Sequence, residues 1–424
     1  MVLIFTNKED SHPNFVIEHL ADAGVPVFRL NTEALLTDYE FSWWADASAC
    51  DFFIRCKASG LTVRGSEVTA VWDRRPEKPA ELPVQNTTQI NKHNLDEAFG
   101  FLYFIRYYLK DVPSIGSIAN DRPASSKMLQ LRYALEVGFK VPDTCFTNIK
   151  AAVTERLADD RDYVLKPIES DNVWDEAADS QWVFFAARTS AQNLREAPDE
   201  AYSQTVTFLQ EYVDKAFELR VTVVGDRAFA CRIDSQAQQD DTGKIDWRQG
   251  YGHGIRWSVF SLPEDISRKC FAYLRRMGLN FGCFDFIVTP SGEYVFLECN
   301  PNGQWLWVEL ETGLPISQAI SEFLMNGKMG KFKLFIYEQN TTKEVQAIPM
   351  EQSISQDAKS AAYGIIEEVT GLEDGEYYAD LKRCKNGKWE DERGMPTIAF
   401  NIVNGKSEIK GERIKFKTTD QKCD

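Results

Sequence analysis

Asp285, Glu298 and Asn300 are the residues of this chain whose types and spacing bear most directly on chemistry. They lie in FGCFDFIVTPSGEYVFLECNPNGQW, where alternating apolar residues run from Phe284 to Val288 and from Tyr294 to Leu297, separated by Thr289-Pro290-Ser291-Gly292. Alternation around such a turn predicts a β-hairpin. With the turn centred near Pro290-Ser291, Asp285 faces Glu298 across the ladder, and Asn300 shares their face because strand side chains repeat with period two. Opposed carboxylates with Cβ atoms about 5 Å apart repel unless a cation lies between them. Among apolar strands an unpaired carboxylate is also costly. An oxygen-only set with few protein ligands suits Mg2+ ahead of Ca2+, since magnesium keeps waters or substrate phosphates. A solvent-facing acidic pair is the alternative for the hairpin taken alone.

Other charged residues stand where an anionic ligand could use them. In RDYVLKPI, Lys166 sits inside an apolar strand and Pro167 holds it extended, so its ammonium needs an anion unless the strand is an edge. Lys127 opens a helix that ends near Gly138, while Glu211, Glu218 and Arg220 flank the crossing between FLQEYV and ELRVTVV. Alone, the last three would read as a surface ion-pair group. Arg248 follows in Asp246-Trp247-Arg248. Arg74 and Arg75, in VWDRRP at a strand exit, could hold a carboxylate-bearing substrate by bidentate pairing, or form a solvated edge. Two lysines on separate elements, acids at a strand crossing, arginines and an Asp/Glu/Asn set together describe a nucleoside triphosphate clamped with Mg2+. There is no GxxxxGK[ST], and the kinase HRD and DFG elements are absent.

The elements that must position these groups follow from composition and periodicity. A chain of 424 residues, 43% hydrophobic and 26% charged, suits two to four globular domains. Its formal charge of −16 argues against nucleic acid and against an anionic membrane surface. Nine cysteines without a CxxC pair suit free thiols in a reducing compartment. MVLIFTNKEDSH is too short an apolar run for a signal peptide, and no run of about 18 apolar residues exists, so a cytoplasmic protein is expected.

Val2 to Thr6, a helix from about Pro13 to Ala23 and Val27 to Leu30 form a β-α-β opening that resembles a doubly wound sheet, without GxGxxG. Short strands follow at 39–45, 51–57, 61–64 and 68–73, then a Phe- and Tyr-rich helix over 91–110, read as a core helix. The segment 111–123, rich in Pro, Gly and Ser, is the first boundary. Residues 169–180 read as a mobile polar loop that closes over something, and 181–187 as a strand pairing back on the segment before it. Helices are expected at 263–277 and 316–326. After about Lys333 come a helix over 355–370, a strand over 397–403 ending in Asn404-Gly405, and alternation at Ile414 and Phe416. The expected division is 1–115, 116–205, 206–332 and a small α+β extension, 333–424.

The order of these groups carries a resemblance. A lysine at a helix start, a lysine in a strand, a hinge acid, an ELR strand and then D…ExN is the order of the ATP-grasp fold, which residues 123–324 resemble. Asn120-Asp121-Arg122-Pro123 through Lys127, Gln130-Leu131, Pro142-Asp143-Thr144 and LECNPNGQWLWVELETGLPI are similar to the ATP-grasp ligases that macrocyclise ribosomal peptides, the microviridin-type or graspetide synthetases. VWDRRP is similar to a motif of that family's N-terminal domain. The expected fold class is therefore α+β: an ATP-grasp fold preceded by a Rossmann-like α/β domain and followed by a small extension.

The resemblance implies that Lys127 and Lys166 contact ATP phosphates and that Gln210, Glu211, Tyr212 and Val213 form the adenine side, with the backbone of the last two. It implies that Glu218 holds the ribose and that Arg248 faces the γ-phosphate with Arg220 and Arg232 nearby as catalytic cations. Asp285, Glu298 and Asn300 would hold Mg2+. The implied activity is ADP-forming. An Asp or Glu side chain of a precursor peptide, itself made of leader and core, becomes an acylphosphate, which Thr or Ser closes to an ester or Lys to an amide. The leader would bind between Ile168 and Arg188. A ligase joining a free amino acid or amine to a peptide carboxylate, and a non-catalytic ATP-binding scaffold, are the alternatives. The extension matches nothing in the family pattern and could serve a homodimer or a leader-binding surface. The loop after Lys166 has no glycine, unlike the usual phosphate lid of the fold.

Overall fold

The structure, a computed structural model, describes residues 1–169, 172–175, 179–237, 243–250, 254–326, 332–338, 344–350, 366, 372–385, 388–391, 397–403, 406–413 and 421–422. The expected helix over 355–370, apart from Ile366, the Asn404-Gly405 turn, and Ile414 with Phe416 lie outside the described residues.

The first sheet is parallel, in the order β2-β1-β6-β7, from β1 (Val2–Thr6), β2 (Val27–Asn31), β6 (Ala70–Asp73) and β7 (Ser114–Ile115). A parallel sheet needs cover on both faces. One face buries Leu3, Phe5, Phe28 and Leu30 with Phe52, Ile54 and Val63 of the antiparallel meander β3 (Tyr39–Ala45), β4 (Cys50–Cys56) and β5 (Thr62–Arg64), and with Ala98, Leu102 and Ile105 of the helix Thr88–Tyr108. The other face joins Val16 and Leu20 of the helix His12–Asp22 to Ile316, Ala319, Ile320 and Phe323 of the helix Ile316–Asn326. The long helix packs on the core, as expected, but not through all of its aromatic residues. Tyr103, Phe104, Tyr107 and Tyr108 are exposed, because the 98/102/105 spacing is what faces the sheet.

A second sheet, in the order β12-β9-β13-β8, contains β8 (Thr144–Thr147), β9 (Asp162–Lys166), β12 (Ala187–Ser190) and β13 (Thr207–Glu211). Between β9 and β12, β10 (Asn172–Asp175) and β11 (Ser180–Val183) pair, among the described residues, with each other alone. The expected pairing of the strand at 181 with the segment before it is present, but the expected loop contains a strand at 172–175, and the strand from 181 stops at Val183 so that a separate one, starting at Ala187, returns to β9.

The third sheet runs β16-β15-β14-β17-β18, all antiparallel, from β14 (Phe217–Val224), β15 (Arg227–Ile233), β16 (Trp257–Phe260), β17 (Phe281–Val288) and β18 (Tyr294–Asn300). One face is apolar, with Leu219, Val221, Val223, Phe284, Phe286 and Phe296 packed under Ile266, Cys270, Tyr273, Leu274 and Met277 of the helix Glu264–Met277. Those five positions form one helical stripe, and burying each large side chain contributes about 1.5–3 kcal/mol. Glu264 and Asp265 at the start of that helix and Arg275 and Arg276 at its end complement its dipole, and Gly278 ends it at φ +66°. The opposite face of this sheet carries the polar residues described below.

A fourth sheet follows, from β19 (Phe332–Glu338), β20 (Glu344–Met350), β21 (Gly375–Lys385), β22 (Lys388–Asp391), β23 (Thr397–Val403), β24 (Lys406–Arg413) and β25 (Gln421–Lys422). Strand β23 and its partner β24 pair on either side of the expected turn, Val403 against Lys406. No described helix is long and apolar enough to cross a membrane.

Candidate active site

Period-two geometry places the acids. Asp285 pairs directly with Glu298, as the hairpin predicts, and a bulge makes this possible. Near the turn Phe286 pairs with Phe296, so an unbroken ladder would oppose Asp285 to Leu297; the register shift between Asp285 and Phe286 absorbs Leu297. On the other side Asp285 pairs with Arg220, which pairs in turn with Cys231. One row across four strands therefore reads Cys231, Arg220, Asp285, Glu298. Asn300 lies one row further on, opposite Cys283, and Glu218 one row back, opposite Ile287.

The contacts in this row are charged. Arg220 donates to Asp285 Oδ2 at 2.9 Å, and Asn300 Nδ2 donates to Glu298 Oε1 at 3.0 Å. Lys127, the first residue of the helix Lys127–Glu136, pairs with Glu298 Oε2. Burial lifts the Asp285 carboxyl, against the pull of Arg220 and with a push from Glu298. Burial acts on Glu298 in the same sense, but Lys127, Asn300 and Lys166 outweigh it and hold Glu298 below the usual range. Asp285 Oδ1 is buried with no hydrogen-bond partner. A buried, unpartnered carboxylate oxygen opposite a second carboxylate, with an amide side chain in the next row, is a donor set whose chemistry fits a small hard cation. Asp285, Glu298 and Asn300 would hold it.

The second sheet supplies the opposing wall. Lys166 Nζ donates to Gln210 Oε1 at 2.6 Å, and Gln210 Nε2 donates to Thr144 Oγ1 at 3.0 Å. Burial pulls the Lys166 ammonium down to about 8, with Glu298 opposing and Lys127 assisting. Phe146 and Phe208 stack at 4.3 Å on the same side of this sheet, a flat apolar surface beside the Lys166–Gln210 pair.

The hinge joins the two walls. The Glu211 carboxylate pairs with Arg161 at 3.0 Å, while the Glu211 and Tyr212 N–H groups donate to the carbonyls of Asp143 and Asp162, both at 2.8 Å. Arg188 lies 3.9 Å over the Tyr212 ring, and Val213 lies in the irregular segment between β13 and β14. Glu218 accepts from Lys215 at 2.5 Å and from Ser235, and burial raises its carboxyl despite both donors. Arg248 forks onto Asp246 at 2.9 and 2.6 Å. Burial would lift Asp246, but the Arg248 hydrogen bonds and charge hold it below the usual range.

Two expectations need correction. Arg232 pairs with Leu219, on the apolar face of the third sheet, and its guanidinium sits 3.9 Å over Phe217 and bonds Asp234 at 2.7 Å. Arg220 pairs with Cys231, so Arg232, one residue on, points away from the acids. Arg74 is not a substrate arginine. It is 1% exposed and donates to Asp10 at 3.0 Å and to the carbonyls of Asn302 and Gly303 at 2.8 and 3.0 Å. Only Arg75 reaches the surface.

Sequence reasoning gave no role to Gln130, to Lys215 as the partner of Glu218, or to a cluster of three tryptophans. Gln130, buried at 1% exposure, accepts from the Cys299 N–H at 3.2 Å and donates to the Cys299 carbonyl at 2.8 Å, pairing with the β18 edge between Glu298 and Asn300. A glutamine on a helix carries no strand-pairing signal, so spacing could not reveal it. Lys215 and Glu218 are nearly fully buried together, and the three-residue spacing was the available clue. Trp247, Trp257 and Trp307 form a cluster with centroids 4.8 to 5.6 Å apart, and Arg220 lies 6.0 Å from the Trp247 ring. Their separation in sequence hid it.

Known proteins share the fold that carries these residues. The family described as MvdD pre-ATP grasp domain matches residues 1–122. Macrocyclase MdnC from Microcystis aeruginosa MRC, solved bound with precursor peptide MdnA, is similar over 77% of this chain and 99% of its own, at 28% identity and TM-score 0.66. A RiPP-associated ATP-grasp ligase of Chryseobacterium gregarium, in complex with ADP and a leader and core peptide, is similar over 76% of this chain and 96% of its own, at 26% identity and TM-score 0.69. Macrocyclase MdnB from the same Microcystis strain is similar over 76% of this chain and 98% of its own, at 29% identity and TM-score 0.60. No curated protein matches the chain. Two facing walls joined by a hinge and likeness to nearly the whole length of these enzymes give the chain the fold of an ATP-grasp ligase similar to the peptide macrocyclases, and its first 122 residues match the MvdD pre-ATP grasp domain.

Proposed function

We propose that the chain is an ATP-dependent peptide macrocyclase that activates Asp or Glu side chains of a ribosomal precursor and closes them on Thr, Ser or Lys of the same peptide. The observation that carries this reading is the row Arg220, Asp285, Glu298, flanked by Lys127 and Lys166, in a chain similar to solved macrocyclases over three quarters of its length. In this reading residues 1–115 form the pre-ATP-grasp domain, 116–205 and 206–332 the two ATP-grasp halves, and 333–424 an extension.

ATP lies between the walls. Lys166 and Lys127 neutralise its phosphates, Gln210 and the hinge at 211–213 border adenine, and Glu218 faces the ribose. Asp285, Glu298 and Asn300 would hold Mg2+, which when bound would neutralise charge on the phosphoryl oxygens. Arg220 and Arg248 stabilise charge that develops as a substrate carboxylate oxygen attacks the γ-phosphorus and the bond to ADP breaks. The hydroxyl or amine then attacks the acylphosphate carbonyl and phosphate leaves with the bonding pair. Because both partners belong to one bound peptide, proximity supplies much of the rate.

The β10–β11 ribbon suits a leader segment. It exposes Trp174, Trp182, Val183 and the following Phe184 and Phe185, apolar surface that a peptide would cover. The thiols of Cys50, Cys56, Cys145, Cys231, Cys270, Cys283 and Cys299 are free, which supports a cytoplasmic location, and a homodimer completes the reading. Incubation of the protein with its precursor, ATP and Mg2+ should lower the peptide mass by one water per ring. A mass increase on adding a free amino acid would instead make it an intermolecular ligase.

A further inference from the structure

We propose that the crevice at the carboxyl ends of β1 and β6 seats the loop that follows the metal ligands, with Arg74 as the positioning residue of that loop. In doubly wound sheets a ligand binds where the strand order reverses. Here the order β2-β1-β6-β7 places the reversal between β1 and β6, whose exits are residues 7–11 and 74–76. The crevice holds part of the chain itself, Asn302 to Trp305.

Three sides of the crevice grip that loop. Arg74 donates through Nε to Asp10 Oδ2 at 3.0 Å and through Nη1 to the carbonyls of Asn302 at 2.8 Å and Gly303 at 3.0 Å. Asp10 is itself held by His12, whose Nδ1 lies 2.7 Å from Oδ1, and the His12 ring meets the fully buried Trp305 edge-on at 5.2 Å. From the far side Asn302 Nδ2 donates to Asp121 Oδ2 at 2.5 Å. Gly303 admits no side chain, since a Cβ there would lie 2.4 Å from Cys283 Cβ. Arg75 adopts φ +49°, a left-handed conformation rare outside glycine, and Asn7 Nδ2 donates to its carbonyl at 3.0 Å. That pivot lets two adjacent arginines part, one inward and one to the surface.

Asn302 and Gly303 stand two and three residues beyond Asn300. A guanidinium fork can span one carboxylate and two successive carbonyls, which a lysine ammonium on its single point cannot reproduce. The inference rests on the reading of Asp285, Glu298 and Asn300 as the metal set. Outer partners of metal ligands typically change metal affinity 10- to 100-fold when removed.

Calorimetric titration of ADP across a Mg2+ series tests it. Arg74→Lys, folded by circular dichroism, should raise the Mg2+ concentration that half-tightens ADP binding by about tenfold or more, with metal-free ADP affinity within about twofold of the parent. Asn302→Ala, which leaves Arg74 in place and removes the Asp121 tether, should shift the same midpoint in the same direction and decides the matter if Arg74→Lys fails to fold. Unchanged Mg2+ midpoints in the folded variants overturn the proposal. Glu298→Gln should abolish the Mg2+ effect, and if it keeps the parent's full Mg2+ dependence the metal reading itself falls, whatever Arg74 does.

Discussion

Lys166 gives a pH dependence whose size follows from its surroundings. Burial brings its ammonium down to about 8 in the free protein, so about nine-tenths of it is charged at pH 7 and about one-tenth at pH 9. Phosphates placed against it would favour the charged form and raise its pKa again. Nucleotide binding should therefore take up a proton as pH rises through 8. ADP affinity should fall about tenfold between pH 7 and pH 9, or about 1.4 kcal/mol, because terminal phosphates are already ionised across most of that window. Calorimetry in buffers of different ionisation enthalpy reads both affinity and proton uptake. Lys166→Met should bind ADP weakly at every pH and show no uptake. A flat profile in the parent, or the same slope in Lys166→Met, would refute the assignment of Lys166 to the phosphates.

Four further outcomes follow from the geometry. Arg220→Met should abolish ADP formation, whereas Arg232→Met should keep kcat/KM within about threefold, since only Arg220 shares the acid row; steady-state kinetics separates the two. Gln130→Leu should cost about 2–4 kcal/mol in urea unfolding, because it strands both backbone groups of Cys299. Gly303→Ala should lower Tm and soluble yield, its methyl meeting Cys283. Truncation near Lys333 should leave ADP affinity unchanged, which calorimetry on the shortened chain checks.

The acids were legible as a group because strand parity puts Glu298 and Asn300 on one face and a Pro/Gly turn brings the strand of Asp285 beside them, but the turn alone does not set which residue Asp285 faces. Leu297 shows the margin: the pairing of Asp285 with Glu298 depends on one bulged residue. Parity also explains the misplacement of Arg232: the tight hairpin that pairs Val224 with Arg227 runs unbroken to Leu219 opposite Arg232, so its spacing from Arg220 already puts it on the other face. The double arginine gave no sign of which side chain turns inward, since that depends on the left-handed Arg75 and on a loop more than two hundred residues away. The strand over 172–175 was missed because the polar residues around it, Glu169 to Ser180, carry no apolar alternation to mark it. The Phe- and Tyr-rich helix misled in the opposite sense, as aromatic content outweighed the 98/102/105 stripe.

The central claim is that this site activates a peptide carboxylate by phosphorylation. Labelling the Asp and Glu side-chain oxygens of the precursor with oxygen-18, then analysing the released phosphate by mass spectrometry, tests it most directly. One labelled oxygen should appear in phosphate for each ring closed and each ADP formed. Ring closure accompanied by unlabelled phosphate would contradict the account.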